Sequence, residues 1–435
     1  MNTTETPSAK PEWLRGKQLD EVAFCTEFVR EQPLVCFQDN FYTMDGLVPD
    51  ERKIERLIYE KLRPWVSSGG VAAQVDRLLA LLRKECWTEE LPSFQDRIMI
   101  NGGTLWLDGS FTEDKCFCRN RLPVWYEPGG PEPRRWLRFL GDLLWEEDIP
   151  ILQEYLGYCL LPTTRAQKML MLVGRGGEGK SRIGAVVRSV FGSSMVQNSL
   201  SKVETNRFAR ADLEGALVMV DDDMQMEALP QTNYIKAIVT AELPMDLEKK
   251  SRQSYQGQLY VRFLGFGNGS LKALYDRSEG FFRRQIILNV KPKEPGRVDD
   301  PQLSDKLIQE RDAIFLWMFR GLQRLIGNNY RFTESKRSRE ALKNAYRDAN
   351  NVEEFLRSKG YISFFAEAEC PAKELYRAYR LWCEDNTSYP LAAKSFSGWL
   401  IEHQERFGLR YTNTVCLPGG RRVRGFVGVE PLLPG

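Results

Sequence analysis

The chain has 435 residues, 42% of them hydrophobic and 28% charged, with 61 Lys and Arg against 59 Asp and Glu for a net charge of +2. That composition excludes a largely disordered chain, and the near-neutral balance means that any basic, nucleic-acid-binding surface is local. Apolar runs such as residues 169–173 are far too short to span a bilayer, and residues 1–10 are polar, unlike a secretory signal, so the expectation is a cytoplasmic protein without a membrane partner.

Nine cysteines, an odd number scattered along the chain, suit free thiols in a reducing compartment. The single histidine, His403, leaves no Cys/His zinc spacing and little room for histidine acid–base chemistry. It falls in an amphipathic helical stretch and reads as a surface residue. In chain order, residues 71–86 form a predicted helix with Val75, Leu78, Leu79 and Leu82 on one face. Residues 97–111 read as a hairpin with turns at Gly102-Gly103 and Asp108-Gly109. A Pro/Gly linker follows at 128–133, then two helices over 134–161. From residue 168 apolar strands alternate with helices, at 169–173, 216–220, 259–266 and 285–290, the pattern of an α/β domain around a sheet. Residues 300–327 return to helix. Near the C-terminus, helices at 371–385 and 392–407 precede strands at 409–417 and 421–429 joined by Pro418-Gly419-Gly420, which is the winged-helix plan.

The strongest motif is Gly174-Arg-Gly-Gly-Glu-Gly179-Lys180-Ser181, a match to G-x-x-x-x-G-K-[ST]. Glycines let the backbone turn tightly and aim N–H groups at phosphate oxygens, and the following helix adds the positive end of its dipole. Gly174, Gly176, Gly177, Glu178, Gly179, Lys180 and Ser181 therefore form a predicted cradle for ATP. Lys180 reaches the β- and γ-phosphates and the Ser181 hydroxyl serves Mg²⁺. The context agrees: an apolar run precedes the loop, and Ile183, Val186, Val187 and Val190 follow at helical spacing.

The strand at 216–220 ends in Asp221-Asp222-Asp223, where carboxylates beside a phosphate loop would handle the metal and the attacking water. Asp221 is assigned to the metal, Asp222 to the water as catalytic carboxylate and to the metal shell, and Asp223 can take either role. Asn268 ends the strand at 259–267 and can hold the attacking water, although Asn268-Gly269 is also a turn dipeptide. Arg283 and Arg284 precede the last strand, and one of them is the candidate arginine finger. Between residues 331 and 435 there are 17 Lys and Arg against 13 Asp and Glu. Lys394 opens the candidate recognition helix, and Arg421, Arg422 and Arg424 start the second wing strand. These are candidate DNA contacts, in a module that elsewhere also serves protein binding.

The order of phosphate loop, acidic strand, Asn-ended strand and Arg-Arg, with Leu152–Leu161 before the loop, Asn206-Arg-Phe-Ala and Gly280-Phe-Phe-Arg-Arg284, resembles superfamily 3 helicases. It is most similar to their phage and plasmid primase-helicase branch, related to the poxvirus-type NTPase. The resemblance implies an AAA+ P-loop NTPase core, assembly as a homo-hexameric ring on single-stranded or forked DNA, and an arginine finger acting on the neighbour's nucleotide. It also implies a DNA-contacting hairpin over residues 242–258, with Lys249, Lys250 and Arg252 facing the pore. Many members carry a glutamate at the end of the acidic strand, where this chain has only aspartates. The 150 residues before the core are too few for a collar and a primer-synthesising domain, so any primase would be a separate partner.

The resulting expectation is an α/β AAA+ P-loop NTPase core at 131–330, an N-terminal mostly helical collar domain at 1–130 and a C-terminal winged-helix domain at 331–435. ATP and Mg²⁺ are the expected cofactors. The expected activity is that of an ATP-dependent DNA helicase or translocase of a phage, prophage or plasmid replication system. An origin-binding loader ATPase and a non-enzymatic nucleotide-bound regulatory ring are the alternatives.

Overall fold

The computed structural model describes residues 10–16, 18–66, 70–224, 229, 232–251, 253–268, 279–296, 298–349, 351–386, 390–417 and 420–432. Arg252, residues 269–278 and the Pro418-Gly419 pair of the expected wing turn lie outside them.

The molecule is mixed α/β around a parallel sheet of five strands. These are β1 (Met169–Val173), β2 (Met195–Gln197), β3 (Val218–Met224), β4 (Arg262–Gly267) and β5 (Gln285–Asn289), in the spatial order β2-β3-β4-β1-β5. Strands buried on both faces are apolar throughout rather than alternating, and β1 is Met-Leu-Met-Leu-Val for that reason. Its period-two geometry still sorts the side chains. Leu170 and Leu172 join one core with Val218, Val220, Leu264 and Phe266, while Met169 and Met171 join another with Met219 and Phe263.

Helix α1 (Ser181–Phe191) covers the first face with Ile183, Val186, Val187 and Val190. Helices Arg134–Leu143, Ile149–Tyr158 and Arg311–Gly327 extend the same core. The last two approach backbone to backbone: a Cβ on Gly157 would strike Met318 O, and one on Gly321 would strike Gln153 O. Buried Glu154 pins the contact, accepting from Arg324 Nε at 2.6 Å, Thr333 N at 2.7 Å and Thr333 Oγ1 at 2.6 Å. The opposite face is covered by helices Leu200–Thr205, Asn233–Thr240 and Lys336–Ala349, the last through Ala341 and Ala345.

Two smaller cores flank this sandwich. Helices Glu21–Glu31, Arg52–Leu62 and Val71–Glu85, with a meander of Val35–Phe37, Asn40–Thr43 and Gly46–Leu47, bury Phe24, Phe28, Ile58 and Leu82 together. At the other end, helices Asn351–Arg357, Ala372–Asp385 and Ala393–Glu402 pack with an antiparallel sheet of Glu369–Pro371, Arg422–Val427 and Arg410–Cys416. Tyr379 centres that core, stacked 4.5 Å from Phe396 and donating to Asn351 Oδ1 at 2.6 Å.

The cores divide the chain at places other than residues 130 and 330. Ile98, Ile100, Leu105 and Leu122, from the four-stranded sheet of Arg97–Ile100, Gly103–Trp106, Phe111–Thr112 and Arg121–Leu122, bury with the parallel sheet, as does Val124 just beyond it. Helix Lys336–Ala349 likewise belongs to the central core, and the C-terminal core begins at Val352.

Several element limits also move. The acidic strand runs from Val218 through all three aspartates to Met224, and the edge strand β2 has only three residues, too few for a periodicity signal. Residues 300–327 divide into Leu303–Ile308 and Arg311–Gly327, and the helix expected to reach residue 407 stops at Glu402 before a 3₁₀ turn. His403 caps that helix, half-buried and stacked 4.2 Å from Trp399. All nine cysteines are free. No helix among the described residues is long and apolar enough to cross a membrane.

Candidate functional site

The C-terminal ends of β1, β3 and β4 open into one pocket. It is lined by Gly176, Gly177, Gly179, Lys180, Ser181 and Arg182 of the loop and α1, by Asp222 and Asp223 of β3, and by Gly267 of β4 with Asn268 directly after it. Asp299 and Ser304 close it from the segment after β5. In open parallel sheets this is the edge where ligands bind. Positive φ at Gly176 (104°), Gly177 (80°) and Gly179 (107°) bends the loop in a way that only glycine adopts without strain. Asn268 stands against the loop: a Cβ on Gly176 would lie 3.7 Å from its Oδ1.

Lys180 is buried and donates to Glu178 Oε2 at 2.7 Å. The Glu178 carboxylate also accepts from Arg175 N and, with each oxygen at 3.0 Å, from Gly176 N. Burial raises the Glu178 pKa, but the Lys180 ammonium and the loop N–H groups outweigh it and hold the carboxyl below its ordinary value. The loop's donors thus already converge on an oxyanion, which is the chemistry expected of a phosphate cradle.

The aspartates separate by strand alternation. Asp221 points to the far face of the sheet, where its Oδ2 accepts from Leu200 N at 2.8 Å; it is 5% exposed and absent from the pocket lining. Burial raises its pKa, so the site disfavours its charge. Of the two aspartates expected at the metal, Asp221 and Asp222, the structure places Asp221 outside the pocket and Asp222 in its lining. Asp222 follows Val218 and Val220 on the α1 side, its Oδ1 4.0 Å from the Cβ position of Gly184, and it is exposed together with Asp223. The register with β4 shifts between Asp221 and Met224, and that irregularity puts two successive aspartates into one pocket.

Mg²⁺ needs few protein ligands because substrate phosphates and water supply the rest. The exposed Ser181 hydroxyl and Asp222 carboxylate fit that donor set. Among the described residues no cluster of three or more His, Cys, Asp or Glu forms a dedicated metal cage.

Arg283 and Arg284 are at the other end of the sheet. Met169 pairs with Gln285 and Val173 with Asn289, so the arginines flank the start of β5 whereas the loop follows the end of β1. The strand length between them is roughly 13 Å at about 3.3 Å per residue. Arg283 is exposed, its carbonyl accepting from Lys168 Nζ, and Arg284 is half-buried, donating to Gly280 O.

The hairpin between β3 and β4 is formed by Met245–Leu247 and Tyr255–Gly257. Its lysines differ. Lys250 is exposed at the turn. Lys249 is tied down, 3.1 Å from Glu214 Oε2, 3.1 Å from Gln38 Oε1 and over the Tyr255 ring. Glu214 also accepts from Gln38 Nε2 at 2.9 Å and Tyr255 Oη at 2.6 Å and pairs with Arg119 at 3.6 Å. Lys249 is thus held in a network centred on Glu214. In the C-terminal unit Lys394, Arg421, Arg422 and Arg424 are all exposed, Lys394 in the first turn of Ala393–Glu402 and the arginines at or beside the strand Arg422–Val427.

Sequence reasoning missed Arg182, Asp299 and Ser304. Arg182 adjoins the motif and donates to Ser304 Oγ at 3.4 Å, but nothing in the local sequence marks Asp299 or Ser304 as facing it. It also missed Arg262, 2% exposed at the base of β4, which donates to Cys159 O at 2.6 Å and Thr163 O at 3.2 Å and so fixes the segment entering β1.

A model of a family of unknown function, DUF5906, matches residues 172–284, the stretch from the end of β1 to the paired arginines. Among solved structures, the apo structure of the NrS-1 C-terminal region (305–718) is similar over 95% of this chain and 100% of the other, at 10% identity and a TM-score of 0.51. The A-form apo structure of the same region matches over 93% of this chain and 98% of that one, at 10% identity and a TM-score of 0.49. The likeness is one of overall fold.

Proposed function

We propose that the chain is a Mg²⁺-dependent ATPase of the AAA+ type acting on DNA, a helicase or translocase of a phage, prophage or plasmid replication system working as a homo-oligomeric ring of six. The observation that carries this reading is the convergence of Lys180, Ser181, Asp222, Asp223 and Asn268 in one pocket at the strand ends. The loop N–H groups and Lys180 bind the triphosphate. Ser181 and Asp222 would hold Mg²⁺, which would supply charge neutralisation at the phosphates. Asp223 takes the proton of the attacking water, and Asn268 orients that water.

The strand order β2-β3-β4-β1-β5, with the phosphate loop on β1 between β4 and β5, supports the AAA+ assignment. The distance of Arg283 and Arg284 from their own pocket supports the ring: a finger at the base of β5 serves the nucleotide of a neighbouring copy. The exposed Lys250 turn and the basic edge of the C-terminal unit, read as a winged helix, supply positive charge for a DNA backbone.

The test is ATP turnover with and without single-stranded DNA, followed by strand displacement on a forked duplex. Turnover with displacement upholds the reading. DNA-stimulated turnover without displacement turns it into a loader, and failure to bind nucleotide removes it. Mixing Lys180→Ala protein with Arg283→Ala or Arg284→Ala protein tests the ring, because a finger acting between copies restores part of the turnover that each variant lacks alone.

A further inference from the structure

The loop carries its own anion. We propose that Glu178 is a built-in competitor at the phosphate site, its carboxylate occupying the donors that a nucleotide phosphate uses, so that nucleotide binds by displacing it. This rests on the phosphate-loop reading above and adds to it how access to the site is regulated.

The geometry is specific. Lys180 Nζ, Gly176 N and Arg175 N all donate to the two Glu178 oxygens, and the glutamate side chain is 3% exposed. A carboxylate presents two acceptor oxygens at a spacing close to that of two phosphate oxygens; a loop N–H committed to one is not available to the other, and the Lys180 ammonium, which has three N–H bonds, has its charge already partnered by the carboxylate. Gly174 makes room for this arrangement: a Cβ there would stand 2.7 Å from Lys180 Nζ and 2.8 Å from Glu178 Oε1. Glu178 is two residues from Lys180, so the pair breaks by rotation of one side chain, without movement of the sheet or of α1. The neighbouring Arg175, Gly176 and Gly177 are exposed, which leaves the displaced carboxylate a path to solvent.

The consequence is a threshold. A ligand must offer these donors more than a carboxylate does. A di- or triphosphate brings several charges and further oxygens, whereas inorganic phosphate competes with Glu178 on near-equal terms. Apparent affinity is the intrinsic affinity multiplied by the fraction of loops with Glu178 displaced.

The experiment compares the full-length chain with Glu178→Gln and Glu178→Ala. Titrations with a fluorescent ADP analogue and with inorganic phosphate are read for affinity and association rate, and the thermal midpoint is read without ligand. The expected result is tighter ADP binding in both variants, by roughly tenfold if one loop in ten is open at rest, with faster association and measurable phosphate binding. The ligand-free midpoint should fall at the same time, because the Lys180 pair is gone. Opposite signs of affinity and stability are the signature; a glutamate that only shapes the loop would lower both. Unchanged or weaker ADP binding in both folded variants overturns the proposal while leaving the phosphate-loop reading intact. Absence of ADP binding in the parent and in both variants overturns the two together.

Discussion

Two lysines expected to meet phosphates are each held by a buried glutamate, but in different ways. Lys180 is paired with Glu178 inside an eight-residue loop, and among the described residues the other donors to that carboxylate are backbone N–H groups of the same loop. Lys249 is paired with Glu214, and that carboxylate is shared with Arg119, Tyr255 and Gln38, the last from the tip of the N-terminal meander. The first pair can exchange its carboxylate for a ligand oxygen because nothing outside the loop depends on it. The second joins four stretches of chain, around residues 38, 119, 214 and 249–255, and a ligand that claimed Lys249 would have to undo them. A lysine near a phosphate site is therefore read by what its partner holds, not by its charge.

The sharpest way to break this contrast is to delete each lysine. Lys180→Ala should reduce ATP turnover by on the order of 10³-fold or more, the scale for removing a charge-stabilising group from a transition state. Lys249→Ala should leave basal turnover within a few-fold of the parent and lower the thermal midpoint instead. Equal losses of turnover in steady-state assays would abolish the distinction.

The aspartates repeat the contrast on one strand. Asp222→Asn should cost roughly 10²–10³ in turnover, because the variant loses charge where the proposed site would hold Mg²⁺. Asp221→Asn should keep most of the turnover. Burial raises the pKa of Asp221, so its ionised form is unfavourable in the folded state, and an amide that still accepts from Leu200 N–H should be neutral or stabilising. Loss of turnover in Asp221→Asn with Asp222→Asn active would restore the original assignment.

Glu214→Gln should destabilise by about 3 kcal/mol, the lower end for removing one partner of a buried ionic network, since Lys249 remains partly exposed. Burial raises the Glu214 pKa, but Tyr255, Gln38, Arg119 and Lys249 together hold it below the ordinary 4.5. A carboxyl depressed on folding contributes its stability above that ordinary value and loses it as pH falls through the folded value. The gap between parent and variant in denaturant titrations should therefore be full at pH 7 and narrow on acidification below about 4.5. A gap independent of pH would mean that packing, not charge, holds the network.

These contrasts explain what could be read in advance. The strand–loop–helix from Met169 to Phe191 was legible because its signals are local: an apolar run, glycines at fixed offsets, then apolar residues at helical spacing. The register of the aspartates was not, because it depends on a shift in pairing between β3 and β4 that no run of residues encodes. The partners of Lys249 were not legible either, because Glu214 and Gln38 lie in other stretches of chain, the second 211 positions away. Residues 98–124 and helix Lys336–Ala349 were grouped with the flanking units, since sequence gives linkers but not the face against which an apolar side chain is buried.

The smallest expected effect isolates the one hairpin lysine left for DNA. Lys250 sits exposed at the turn beside Ser251, whose φ of 61° holds the tip in a left-handed bend. Lys250→Ala should leave the thermal midpoint unchanged, in contrast to Lys249→Ala, and weaken single-stranded DNA binding uniformly across sequences. A phosphate contact releases a condensed counterion, so its loss should flatten the slope of log affinity against log salt by about 0.7 for single strands. The same measurement on Lys249→Ala should show the parent slope, because a lysine committed to Glu214 neutralises no phosphate. If instead Lys249→Ala flattens the slope and Lys250→Ala does not, the network around Glu214 opens on DNA, and the fixed lysine and the displaceable one are the same kind of device.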